Sequence, residues 1–130
     1  MEGSYVGELV LDGERSALAK ALKNKIGPNF IYRTPSNLKL ELMGRKIIHD
    51  LMDLFWEGAK TLPLDRKIKT RNFPGKIQAL FSENYLTVFE HSVREGPLPP
   101  AYHRLQLVTD YVCGMTDSFA KRLHAELSNG

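Results

Sequence analysis

An apolar residue at every fourth position predicts a helix near the start of the chain. Leu18, Leu22 and Ile26 share this spacing, which places them on one face of a helix over 14–26. Asp12 precedes the helix and is expected to cap its first turn, because its carboxylate can accept from free backbone amides. The Gly-Pro pair that follows is expected to end the helix.

The next apolar pattern has a period of two residues and then changes. Alternation of leucines with polar residues over 38–43 predicts a short extended segment. From Met43 the apolar positions follow a helical stripe, which predicts a helix to about Ala59. The switch falls at Gly44, which is expected to act as a pivot.

Helical patterns, separated by Pro- and Gly-containing connectors, continue to the end of the chain. Four further helices are predicted, over 76–81, 83–94, 100–113 and 117–127, with Ser82 as the cap of the second. The sequence therefore predicts an all-α fold: a single compact domain over 1–130 with five or six helices, besides the short extended segment near 38–43.

Composition narrows the class of protein without identifying it. The chain has 130 residues, of which 42% are hydrophobic and 25% charged, as is typical of a soluble globular domain. Neither a membrane span nor a secretory signal is expected, since no apolar stretch is long enough. The single Cys113 cannot form an internal disulfide and is interpreted as a small packing residue. A cytoplasmic location is the expectation.

Charge is concentrated in one segment. The formal net charge is +3, but residues 60–76 hold six basic residues and one aspartate, a local charge of +5. Arg66, Lys67, Lys69 and Arg71 lie among prolines and are expected to be displayed on a loop. Two interpretations stay open: a solvated loop that aids solubility, or a surface that contacts phosphate or nucleic acid.

Two acidic positions have a chemical as well as a plain interpretation. His49 and Asp50 form a doublet found among metal ligands of some hydrolases, but the sequence offers no paired histidine to complete a cluster, so a solvated helix face is favoured. Glu41 lies between two leucines and is expected to face water. If a ligand or another subunit covers it, Glu41 becomes an acceptor for a hydroxyl or an amine.

The most distinctive segment is Asp110–Ala120. Gly114 is placed to end one helix, Thr116 to cap the next, and Asp117 to meet the positive end of the helix dipole. We treat six residues as this structural motif: Asp110, Tyr111, Gly114, Met115, Thr116 and Asp117.

This motif, preceded by Tyr102-His103-Arg104-Leu105, resembles the C-terminal end of bacterial deoxyguanosine triphosphate triphosphohydrolases of the HD superfamily. The family has a closely similar Asp-Tyr-x-x-Gly-Met-Thr-Asp-x-Tyr-Ala run, with Phe119 here in place of the last tyrosine. Weaker similarity covers Glu2–Tyr5, Leu40–Gly44 and Asn72–Pro74.

The resemblance implies a C-terminal fragment of a longer enzyme that converts dGTP and water to deoxyguanosine and triphosphate. It implies that the metal-binding HD core, with its divalent Mg or Mn ion, lies outside this chain. The chain would then bind no metal, carry no catalytic residue and be inactive alone. Expected partners are further copies of the enzyme, such as in a hexamer, the deoxynucleotide substrate and single-stranded DNA. Substrate-binding residues would be Glu41, Lys69 and Arg71.

An alternative of another class is a free-standing helical module that binds partners or nucleic acid through the basic segment 60–76. Its affinity for DNA would fall steeply with salt, whereas a fragment of a nucleotide pocket would bind DNA feebly.

Overall fold

The computed structural model describes residues 14–128, and their side chains from Ser16. This part of the chain contains six α-helices and one π-helical segment, and no strand. The all-α prediction is thus confirmed. The elements are α1 (Glu14–Ala21), the π-helical segment (Leu22–Tyr32), α2 (Pro35–Ala59), α3 (Phe73–Gln78), α4 (Glu83–Glu95), α5 (Pro100–Cys113) and α6 (Asp117–Ser128).

The chain divides into two compact units, Met1–Met43 and Gly44–Gly130. In the first unit, the predicted helix end at Gly27-Pro28 is wrong: helical structure continues to Tyr32 with Pro28 inside it. The backbone here is π-helical, with hydrogen bonds to the residue five positions back, so the widened turn admits the ring that would crowd an α-helical turn. Leu18, Leu22 and Ile26, predicted to share one helix face, are all exposed. Asp12 lies outside the described residues.

The predicted extended segment over 38–43 is also wrong, because α2 begins at Pro35 and runs through it. The Thr34 Oγ1 accepts from the Asn37 amide at 3.4 Å, and proline suits a first helical position. These two signals for a helix start outweigh the two-residue alternation of leucines over 38–43, which predicted an extended segment. Leu38, Leu40 and Leu42 are all exposed on the helix. No apolar face of this segment is buried, so burial does not favour an extended conformation here.

Gly44, predicted as a pivot, lies in the interior of α2. A Cβ built on it would meet no atom within 4 Å, so close packing does not require a glycine there.

The core of the second unit is built around three aromatic rings. Phe55, Phe81 and Tyr111 pack against one another with centroids 4.9–5.1 Å apart, in tilted and edge-on arrangements that aromatic pairs favour. The Tyr111 hydroxyl donates to the Leu80 carbonyl at 2.8 Å, which satisfies its polar end. The other buried apolar residues are Ile47, Leu51, Ala59, Leu62, Ile77, Leu86, Phe89, Leu107, Val108 and Val112.

Helices α4, α5 and α6 occur within a residue of their predicted ends. The Ser82 side chain makes no cap hydrogen bond, although it occupies the predicted position. Helix α3 starts three residues earlier than predicted, because the Asn72 Oδ1 accepts from the Gly75 amide at 2.9 Å and caps it there. Cys113 is exposed, so its interpretation as a packing residue is wrong.

Two polar contacts join elements distant in sequence. The Arg104 Nη2 donates to the Leu62 carbonyl at 2.9 Å, which ties α5 to the loop after α2. The His124 Nε2 lies 2.6 Å from the Asp50 Oδ2, which ties α6 to α2. Within the described residues, no helix is both long and apolar enough to cross a membrane.

Candidate functional site

In the loop between α2 and α3, residues 60–72, oppositely charged side chains contact one another. The Asp65 carboxylate accepts from the Lys67 amide at 3.2 Å and lies 2.9 Å from the Lys67 Nζ. The hydrogen bond between the two side chains lowers the pKa of Asp65 and raises the pKa of Lys67, because it favours the charged form of each group. Arg66, between them, has a φ of 56°, a left-handed conformation rare for arginine.

The Arg66 side chain contacts α4 and is not free at the surface of this loop. Its guanidinium forms ion pairs with Glu83 and, at 3.3 Å, with Glu90, both on α4. The hydrogen bond to Glu83 is the largest cause of a raised Arg66 pKa. The prediction that Arg66 is displayed is therefore wrong: the half-buried side chain joins the loop to α4.

Lys60 is also neutralised locally, because its Nζ lies 2.6 Å from the Glu57 carboxylate. Lys69, Arg71 and Lys76 are exposed, and within residues 16–128 no ion pair involves them. Three of the six basic residues of the segment are thus paired within the protein, and the positive charge available to a partner is smaller than the sequence suggests.

A polar pocket of about 360 Å³ lies beside this loop. Gln78 is buried at its wall, where its Nε2 donates to the Gly58 carbonyl at 2.9 Å and to the Thr61 Oγ1 at 3.1 Å. The amide therefore holds the end of α2 against α3. The lining residues are Thr61, Pro63, Asp65, Lys67, Lys69, Asn72 and Gln78.

Close backbone packing fixes the side of the pocket that carries Lys69. A Cβ built on Gly75 would come within 1.8 Å of the Lys69 carbonyl oxygen and 2.7 Å of the Asn72 Oδ1. Only glycine therefore allows this approach of α3 to the loop. The Lys69 backbone is held in place by α3, so its side chain starts from a defined position.

The pocket is suited to an anion. Asp65 balances one of its two lysines, which leaves one net positive charge among amide and hydroxyl groups. A lysine ammonium provides a point charge for phosphate, and the side-chain amide of Asn72 can donate to phosphate oxygens. The arrangement can attract and position a phosphate group.

The three predicted substrate-binding residues occupy different places. Lys69 lines the pocket, whereas Arg71 is exposed on the same loop and is not among the lining residues. Glu41 is exposed on α2 in the first unit. The structure brings Lys69 together with Asn72 and Gln78, which sequence reasoning did not select.

His49 and Asp50 do not fit a divalent-cation site. Asp50 is engaged by the Lys46 Nζ at 2.8 Å and by His124, both of which lower its pKa, and His49 is exposed. Among the residues the structure describes, no group of three or more His, Cys, Asp and Glu side chains could hold a metal ion.

The structural motif forms the predicted helix–stop–helix arrangement. The Thr116 Oγ1 accepts from the Phe119 amide at 3.3 Å, and Asp117 lies in the first turn of α6. Tyr111 is buried in the aromatic cluster, and Met115 packs against the same core. Gly114 follows α5, where a Cβ would lie 2.1 Å from the Tyr85 hydroxyl oxygen.

These observations define a small helical unit with a polar pocket whose lining carries one net positive charge. Comparison with curated proteins finds that the chain is similar to deoxyguanosinetriphosphate triphosphohydrolases and to proteins named as like them. The chain is 28% identical to the deoxyguanosinetriphosphate triphosphohydrolase-like proteins of Listeria monocytogenes and Listeria innocua, over 98% of its own length and 28% of theirs. It is 24% identical to the deoxyguanosinetriphosphate triphosphohydrolase of an Enterobacter species, over 84% of this chain and 24% of that enzyme.

The chain therefore spans about a quarter of the length of the curated relatives it matches. No family model matches it, and no solved structure does. The comparisons support a relationship to the triphosphohydrolases.

Proposed function

We propose that this chain is the C-terminal portion of a dGTP triphosphohydrolase of the HD superfamily, and that it supplies part of the nucleotide pocket and contacts between subunits. The observation that carries the proposal is the similarity to proteins of that name over nearly the whole chain. The polar pocket that contains Lys69 adds support, because the substrate of such an enzyme carries a triphosphate.

In this proposal Lys69 attracts the phosphates and Arg71 meets them from the same exposed loop. Glu41 accepts from the sugar or the base, since a carboxylate can only accept hydrogen bonds from the hydroxyl and amino groups there. The divalent cation and its ligands belong to another part of the longer enzyme. The longer enzyme is cytoplasmic and oligomeric.

Exposed apolar residues in the first unit support the assembly role. Leu18, Phe30 and Leu42 are each more than 60% exposed, and large apolar side chains in such number favour burial against another surface. Light scattering of this chain beside a complete relative would show whether this chain self-associates.

A titration followed by two-dimensional NMR tests the phosphate site. We expect dGTP and inorganic triphosphate to shift the amide signals of Lys69, Asn72 and Gln78, while deoxyguanosine alone does not. Lys69→Ala should weaken dGTP binding by about two- to fivefold, because an exposed charge pair contributes little. Lys121→Ala, which removes an exposed lysine of α6, is the matched control.

The phosphate assignment fails if these signals do not move in up to roughly 10 mM dGTP, at which a site with a Kd of about 1 mM is mostly filled. Equal losses from Lys69→Ala and Lys121→Ala would also count against it. A separate assay with dGTP and Mg or Mn tests the remaining claim: triphosphate release by this chain alone would show that it carries its own catalytic machinery.

Exposure of Lys69, Arg71 and Lys76 favours a second candidate, a nucleic-acid-binding module. Fluorescence anisotropy with a single-stranded oligonucleotide distinguishes the two. An affinity for DNA well above that for dGTP, and a steep decrease with salt, would favour the module.

A further inference from the structure

A buried histidine outside the polar pocket has no hydrogen-bond partner among the described residues. His103, in the first turn of α5, is 6% exposed, and no described residue is hydrogen-bonded to its Nδ1 or its Nε2. Burial of a polar group without a partner is unfavourable, and most buried nitrogens in proteins are satisfied. A group other than the described side chains is therefore expected to hydrogen-bond with the His103 ring.

The ring is held in this position by tight packing. A Cβ built on Gly96 would lie 3.1 Å from both the Cε1 and the Nε2 of His103, so the glycine leaves just enough room for the ring edge. The Tyr102 ring meets the imidazole edge-on, with centroids 5.8 Å apart. Because its surroundings restrain the ring, His103 has little freedom to swing out to water.

His103 lines a small cavity between α4 and α5. The cavity measures about 20 Å³, enough for one water molecule or one hydroxyl group. Its other lining residues are Tyr85, Val88, Phe89, Ser92, Gln106, Leu107 and Asp110.

This cavity adjoins a wider groove at the same pair of helices. Tyr85, Val88 and Asp110 line both, and the groove, of about 460 Å³, continues past Cys113 and Gly114. Val88 is 59% exposed and offers an apolar surface to a ligand. The Tyr85 ring is fixed by edge-on contact with Tyr111 at 5.4 Å between centroids.

The residues that line the cavity and the groove indicate the chemical class of ligand that fits them. The described residues that line the cavity and the groove include an aspartate, Asp110, and neither lysine nor arginine, so an anion is disfavoured. The apolar groove suits an aromatic body. A neutral imidazole has one donor and one acceptor nitrogen, and a hydroxyl group can match either.

We propose that the α4–α5 groove binds an uncharged aromatic alcohol, whose ring lies over Val88 and Tyr85 and whose hydroxyl group enters the cavity to hydrogen-bond with His103. This site is separate from the Lys69 pocket, and the proposal does not rest on the function proposed above.

Benzyl alcohol is the probe, with toluene as its counterpart without a hydroxyl and benzoate as its anionic counterpart. Long-range proton–nitrogen NMR spectra follow the ring nitrogens of His103 directly. We expect benzyl alcohol to shift a His103 ring nitrogen and to bind about two- to tenfold more tightly than toluene, the gain of one hydrogen bond. Benzoate should bind more weakly than both.

Two variants separate recognition from folding. His103→Leu keeps a side chain of similar size and should bind benzyl alcohol and toluene equally, while folding at least as stably because it buries no unpaired nitrogen. Val88→Trp should block the groove without touching the core. Leu105→Trp, at an exposed position of α5 that lines neither cavity, is the control and should bind like the parent chain.

Equal binding of benzyl alcohol and toluene to the parent chain would overturn the proposal, since the hydroxyl would then have no role. Tight binding of benzoate would overturn the assignment of charge. An absence of saturable shifts with all three probes would show that the cavity holds only water. Unchanged binding to Val88→Trp would place the ligand elsewhere.

Discussion

Gly75 and Gly44 are both glycines in helices, but their surroundings differ completely. A side chain on Gly75 would collide with the Lys69 backbone, whereas one on Gly44 would enter open space. The first glycine is needed for packing of the loop against α3, and the second weakens α2 through its backbone freedom.

We expect Gly75→Ala to destabilise the protein by about 1–3 kcal/mol, because backbone must move to relieve the contact. Gly44→Ala should stabilise it by about 0.5–1 kcal/mol, the usual gain for alanine in a helix interior. Urea denaturation of the two variants measures both effects.

Similar stability changes in the two alanine variants would show that the approach of Gly75 to Lys69 is not tight. The same Gly75→Ala protein should also show altered dGTP-induced shifts at Lys69, since that residue's backbone must be displaced, while Gly44→Ala should not.

At the scale of elements, the connection between α5 and α6 depends on a side-chain cap. The Thr116 Oγ1 satisfies the Phe119 amide at the start of α6. We expect Thr116→Ala to lower the free energy of unfolding by about 0.5–2 kcal/mol. Thermal and urea denaturation would measure the loss.

Thr109→Ala is the matched control, because Thr109 is also exposed and its hydroxyl donates to the Leu105 carbonyl within α5. This hydroxyl contact adds little to a helix, and alanine has the higher helix propensity. A loss at Thr109 as large as that at Thr116 would contradict the capping role.

Local signals explain which elements could be predicted from the sequence. Helices α5 and α6 were predictable, because proline, glycine and the Thr116 cap mark their ends within a few residues. The region 38–43 was mispredicted, since its leucine alternation lies inside a helix begun by Thr34 and Pro35. Alternation indicates a strand only where one face becomes buried, and burial is a tertiary property.

The candidate site was predictable only in part for the same reason. The charge of the segment selected Lys69 only together with Arg66, Lys67 and Arg71, and the family resemblance was needed to favour it as a substrate-binding residue. The partners of Arg66 are on α4 and Gln78 reaches back to Gly58, contacts between residues 17 to 24 positions apart that no local pattern reveals. The pairing of His103 with a cavity depends in the same way on the packing of α4 against α5.

Within the second unit, the contacts of Asp50 with Lys46 on the same helix and with His124 on α6 make stability depend on pH. Lys46 and His124 hold the pKa of Asp50 below its ordinary value of 3.8. A lowered carboxyl pKa in the folded state contributes stability above the ordinary pKa, and this contribution is lost as pH falls through the folded-state value. The protein should therefore become less stable in acid.

Asp50→Asn should reduce this acid dependence, measured as the urea midpoint from neutral pH to below the ordinary carboxyl pKa. Asp53→Asn, at an exposed position of the same helix, is the control and should retain the parent's pH profile. If Asp50→Asn keeps the full loss in acid, the Asp50 contacts do not contribute to it.

The ion pairs of Arg66 have a consequence for how this surface could evolve. Glu83 and Glu90, on α4, form ion pairs with the guanidinium of Arg66, a residue of the basic loop. Neutral substitutions at these α4 positions would release that cation without any change in the loop itself. Selection for stronger binding of polyanions could thus begin with the loss of a carboxylate on α4. The acidic positions of α4 are therefore the ones to compare among related proteins.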